Sequence, residues 1–176
     1  MRPPVCRLPR IFLVSFLAAL ALQAGAVSAQ ESIPSNGGSP AAQELLEVSS
    51  LVILSGADAL NFTVELADEP EERRRGLMFR RSMEADHGML FRHDRPQRSS
   101  MWMKNTYISL DILFIQQDGV IVNIARDTEP GSLSQIASKG RVLGVLELNA
   151  GTSERLGIKP GDQVLHAIFG SAPKVD

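Results

Sequence analysis

The stretch from Ser100 to Ile115 restricts what this chain can fold into more than any other. Read at a period of two, it makes two short strands joined by a polar turn. Trp102 and Lys104 share one face, and Met101, Met103 and Asn105 share the other. In the second strand Asp111 falls on the face of Leu113 and Ile115, which aims a carboxylate at apolar neighbours. A charge in that position has to be paired or hydrogen-bonded, because burying it alone is too expensive.

The N-terminus reads as a targeting segment. Arg2, Arg7 and Arg10 form a basic region, Ile11 to Leu22 is a short apolar run, and Val27-Ser28-Ala29 supplies small residues before Gln30. This is the pattern of a secretory signal peptide over residues 1–29, with a periplasmic or secreted destination. The apolar run is too short for the roughly 30 Å hydrocarbon core of a bilayer, so no stable membrane anchor is expected after cleavage. The single Cys, Cys6, lies inside that segment. The mature chain therefore has no disulfide, no thiolate ligand and no Cys nucleophile. Cleavage would remove three Arg and no acid from a chain whose formal charge is already −2. An acidic, exported chain argues against nucleic acid as a partner.

Residues 30–49, rich in Ser, Gly, Pro and Ala, read as a flexible linker. Residues 50–170 have the size of one globular domain, followed by a tail over 171–176. Leu51–Gly56 and Asn61–Leu66 are strand-like, the second alternating Phe62, Val64 and Leu66 with Thr63 and Glu65. Asp68 opens a short helix, with Pro70 in its first turn, Arg73 to Arg75 in its last and Gly76 ending it. Gly88–Phe91 is a short strand, and Arg92–Arg98 a charged loop broken by Pro96. Asp118-Gly119 signals a two-residue hairpin into Val120–Ile124. Val142–Leu148 is a further strand, Thr152 or Ser153 caps a second short helix stopped at Gly157, and Gln163–Phe169 is the last strand. About eight short strands with two short helices predict an α+β domain, mainly antiparallel, in a compact barrel-like sheet.

Several motifs recur in a fixed order: Arg75-Gly76-Leu77-Met78, Gly88-Met89-Leu90-Phe91, Met101-Trp102-Met103-Lys104-Asn105-Thr106, Leu110-Asp111-Ile112, Asp118-Gly119 and Leu146-Glu147-Leu148-Asn149-Ala150-Gly151. Together with Gly157 and Gly161-Asp162 they resemble the bacterial and archaeal domain-of-unknown-function family 192, from about Ser50 to Phe169. The family's biochemical function is unsettled, so the resemblance sharpens the fold and leaves the chemistry open. Many members carry Cys in the loop matching Glu129 to Ser138, where this chain has Gly131 and Ser132. A metal or redox role for those Cys does not carry over.

The site candidates are polar residues set in apolar stretches: Arg80, Trp102, Lys104, Asn105, Asp111 and Glu147. Brought together, they would bind a small polar ligand, sugar-like or anionic. The cations would orient it and Trp102 would give it a flat face. The competing reading makes them structural ion pairs, Lys104 with Asp111 across their own turn and Glu147 with an Arg. A hydrolase-type enzyme would use Asp111 or Glu147 as general acid or base. Met78, Met83, Met89, Met101 and Met103, with His87 and His93, raise copper binding. The competing reading is Met as core filler, and neither metal nor cofactor is expected. A protein-interaction module is the remaining alternative. No Gly-x-Ser-x-Gly elbow and no Gly-rich phosphate loop is present.

Overall fold

The computed structural model describes residues 46–171. The expected signal peptide, most of the expected linker and most of the tail lie outside the described residues. The elements in chain order are β1 (Glu47–Ser55), β2 (Asp58–Ala67), α1 (Pro70–Arg75), β3 (His87–Met101), β4 (Leu110–Ile115), β5 (Ile121–Ala125), β6 (Ile136–Asn149), α2 (Thr152–Arg155) and β7 (Gln163–Leu165), with a 3-10 turn at Ala167–Phe169. The domain thus begins earlier than expected, since Glu47 to Ser49 already pair with Leu66 to Val64.

The strands form one sheet in the order β5-β4-β6-β3-β2-β1-β7. All strand pairs are antiparallel except β2 with β3, which α1 joins in parallel. The two outer strands then meet. Val120 bridges Gln163, Ile121 N–H donates to Asp162 O (3.0 Å) and Val164 N–H donates to Gly119 O (2.8 Å). The sheet therefore curls into the barrel-like form that the pattern of short strands implied.

Curling leaves two faces to fill. Leu51, Ile53, Phe62, Val64, Leu90, Leu113, Ile115, Leu146, Leu148 and Val164 pack into one cluster. On the opposite face Met89, Phe91, Leu110, Ile112, Phe114 and Val145 pack with Leu77 and Met103 from the connecting segments. Every residue of β4 is consequently buried, with Leu113 and Ile115 in the first cluster and Leu110, Ile112 and Phe114 in the second. A strand covered on both faces carries a near-continuous apolar run, as Leu110–Ile115 does apart from Asp111.

The structure corrects several local expectations. The charged segment Arg92–Arg98 is the middle of β3, paired with β6 through register shifts that accommodate Pro96. Strand β3 ends at Met101, so the period-two reading fails beyond it and Trp102 to Ser109 form a loop. The β4–β5 turn has three residues rather than two. Gly119 N–H closes onto Gln116 O (3.0 Å), and Gln116 N–H onto Val120 O (2.9 Å). Gly119 takes φ 85° while Asp118 does not go positive, which is a type I turn with a glycine bulge. Helix α1 is capped one residue later than expected: Glu69 is its N-cap, and Glu72 Oε2 accepts from Glu69 N–H at 3.0 Å. The last strand stops at Leu165, because His166 caps the following 3-10 turn.

Candidate functional site

Three segments cover the outer face of the sheet, and most of the sequence candidates lie on or beneath them. Residues 102–107 are stitched on one side to Phe79, whose N–H donates to Asn105 O (2.8 Å). On the other side Gly131 N–H donates to Met103 O (3.0 Å), and Met103 N–H to Ser132 O (3.0 Å). Gly131 adopts φ 75°, a left-handed conformation that suits glycine.

Trp102 is 48% exposed, and the Lys104 ammonium lies 5.1 Å from its ring centroid. Phe79 and Tyr107 are similarly exposed and meet edge to face, with centroids 6.1 Å apart. The Arg81 guanidinium lies 5.5 Å from the Tyr107 ring. Phe79 takes φ 66°, in the left-handed region where a bulky side chain is rare. Asn105 takes φ 56°, which Asn tolerates better, and its Nδ2 approaches Met78 Sδ at 3.8 Å. Phe79 and Tyr107 were not among the sequence candidates. The signals were an apolar patch edged by Arg and the chain's one Tyr.

Arg80 forms a bidentate pair with Glu65, with Nη1 2.6 Å from Oε1. Its Nε is buried and has no acceptor among the described residues. Glu65, Met89, Glu147 and Ile112 occupy successive strands in one cross-strand row. Glu147 is 4% exposed and receives no hydrogen bond from the described residues. Burial pushes its carboxyl up to about 8, so it is protonated at neutral pH.

Asp111 stands apart from this group. Its Oδ2 accepts from Ser153 N–H (2.8 Å) and from the Ser153 hydroxyl, and its Oδ1 from Asp127 N–H (3.1 Å) and Gly151 N–H (3.3 Å). With four donors in place this carboxylate is structural. It is not paired with Lys104, and Glu147 is not paired with an Arg, so neither expected ion pair forms among the described residues.

The methionine and histidine set offers no shared centre. Met89 and Met103 are core residues, and Met103 Sδ accepts from the Thr128 hydroxyl at 3.2 Å. His93 and His87 are bonded to Ser99 and Asp86. Glu84, Asp86 and His87 have the spacing of metal ligands, but on an exposed turn where both carboxylates approach His87. Two concavities are found elsewhere, one lined by Pro96, Gln116, Gln117, Asp118 and Arg141, the other by Arg73, His93, Asp94, Arg95 and Gln97. Neither includes any of the six polar-ligand candidates, although His93 of the copper set lines the second.

A model of domain-of-unknown-function family 192 (DUF192), described as "Uncharacterized ACR", matches residues 52–166. The chain belongs to this family. Two crystal structures share the DUF192 fold of this chain. One, from Sinorhizobium meliloti 1021 and described as a candidate transcription regulator, is 44% identical with a TM-score of 0.68, covering 70% of this chain and 96% of its own. The other, a protein of unknown function from Novosphingobium aromaticivorans DSM 12444, is 37% identical with a TM-score of 0.67, covering 69% and 86%. Comparison with curated proteins returned no match.

Proposed function

We propose that this DUF192 domain is an exported binding module whose loop layer, Phe79–Arg81 with Trp102–Tyr107, takes a small polar ligand of the acidic-sugar class. The observation that carries this reading is the set of three half-exposed aromatic rings, two of them held beside cations. Exposed rings add little to folding, whereas a flat apolar face beside an ammonium or guanidinium suits a sugar bearing a carboxylate. The strained Phe79 backbone supports it further. A left-handed φ at a bulky residue costs about 1–3 kcal/mol, and here the ring faces solvent rather than filling the core.

Calorimetric titration with a uronic-acid disaccharide, and with maltose as the neutral control, tests it. Saturable binding of the acidic sugar, weakened by Lys104→Ala, is the expected result. Equal heats for both sugars, or no effect of Lys104→Ala, contradicts it.

A second reading, an enzyme with an acid catalyst, has one observation in its favour: Glu147 is buried, protonated at neutral pH and without a hydrogen-bond partner among the described residues. Asp111 has no part in it, since its oxygens are already engaged. Turnover of the bound sugar that is lost in Glu147→Gln, with binding retained, would favour the enzyme over the binder.

A further inference from the structure

A concavity lies away from the aromatic loops, where β3 passes α1. Arg73 of α1 and His93, Asp94, Arg95 and Gln97 of β3 line its volume of about 420 Å³. Arg73 Nη1 donates to Asp68 O and to Arg92 O (3.2 Å), which anchors the guanidinium while its other nitrogens stay available. The His93 ring is held between Gln97 Nε2, 3.1 Å from Nδ1, and Ser99 Oγ, 3.0 Å from Nε2. Arg95 has no ion pair or hydrogen bond among the described residues. Asp94 is the one acid in the lining; its side chain is 89% exposed and reaches Arg73 only at 4.0 Å. An exposed contact of that length holds little energy and yields to a better ligand.

We propose that this concavity is a binding site for a phosphoryl or sulfate-type oxyanion, clamped between the Arg73 and Arg95 guanidiniums. Two planar guanidinium forks, one from a helix and one from a strand, line the same concavity, and a guanidinium suits an oxyanion in charge and hydrogen-bonding pattern. Burial and the Arg73 charge hold the His93 imidazole below its usual range, with Asp94 acting in the opposite sense. An anion bound here offsets Arg73, so the His93 pKa rises on binding. By linkage, binding tightens as the pH falls toward that value.

The test is calorimetric titration of the full chain with inorganic phosphate, and separately with glucose 6-phosphate, glucose serving as control. An NMR pH titration of the His93 ring accompanies it. The proposal expects saturable binding of at least one phosphate probe, a rise of the His93 pKa on saturation, and loss of at least about tenfold in affinity in Arg95→Ala. Arg95 makes no hydrogen bond or ion pair among the described residues, so this variant keeps the fold; unchanged thermal unfolding checks that. Preference for glucose 6-phosphate over phosphate identifies a phosphorylated molecule as ligand, and equal affinity identifies the free anion. Absence of saturation by either probe up to about 10 mM, or binding unaffected by Arg95→Ala, overturns the proposal.

Discussion

Asp111 of β4 supplies the cap that α2 lacks, its Oδ2 accepting the Ser153 N–H at 2.8 Å and the Ser153 hydroxyl as well. The N-cap residue of α2 is Gly151, which has no side chain to satisfy the first turn. A carboxylate remote in sequence takes over that work and also fastens Asp127 N–H, so three segments converge on one side chain. Asp111→Ala leaves these donors buried and unpartnered. We expect a loss of about 3–5 kcal/mol in urea unfolding. Ser153→Ala should cost about 1–2 kcal/mol, and the double variant less than the sum, since both remove the same bond.

Gly119 sits where the two ends of the sheet meet. A Cβ built there would fall 2.4 Å from Val164 O and 2.5 Å from Gln163 Nε2. Gly56 has a similar positive φ but open space around it, so it isolates the backbone term. Gly56→Ala should cost about 1 kcal/mol, and Gly119→Ala at least about twice as much, by thermal or urea unfolding. Equal costs would show that the β7 contact to the turn is unimportant.

Glu147 makes stability depend on pH. Its folded pKa is raised from 4.5 to about 8, so the native state holds a proton that the unfolded state releases between those values. The contribution is fully present below about pH 4.5 and is lost as pH rises through about 8. The total is on the order of 5 kcal/mol. His93 and His166 are shifted down by burial and act in the opposite sense near neutral pH. The difference between wild type and Glu147→Gln therefore isolates the acid. That difference should move in favour of the Gln variant between pH 5 and 8, and a constant difference would refute the assignment.

These relationships were unequally legible in the residues. Asp111 announced that it needed partners by lying on the face of Leu113 and Ile115, but its partners are backbone donors of α2. Backbone donors leave no trace in residue identity, so Lys104 was the natural but mistaken choice. The barrel-like sheet followed from the turn-separated apolar runs. The Arg92–Arg98 segment did not, because its charged residues carry no apolar alternation. The left-handed Phe79 was equally invisible, since nothing about Phe suggests that conformation or its N–H bond to Asn105 O. Arg80, Trp102, Lys104 and Asn105 were recognisable as candidates, whereas Phe79 and Tyr107 gained significance only once their exposure was seen.

Strain at Phe79 gives a prediction that separates function from folding. Phe79→Gly removes a half-exposed ring and relieves a φ of 66°. Stability should be unchanged or raised by up to about 1 kcal/mol, while sugar binding weakens. A strongly destabilised variant would mean that the ring serves packing instead.

For the proposed export step, intact mass of the protein recovered from the periplasm or medium should correspond to an N-terminus near Gln30. Recovery with Met1 still attached would remove the export part of the account.

Trp102 is the only Trp in the chain, so its emission reports on the proposed loop site alone. The measurement that bears most directly on the central claim is a fluorescence titration of the protein with a uronic-acid disaccharide. The account predicts a saturable change in Trp102 emission that maltose does not reproduce and that Lys104→Ala shifts to higher sugar concentration. An emission spectrum unmoved by the acidic sugar, at concentrations where calorimetry detects its binding, would contradict it.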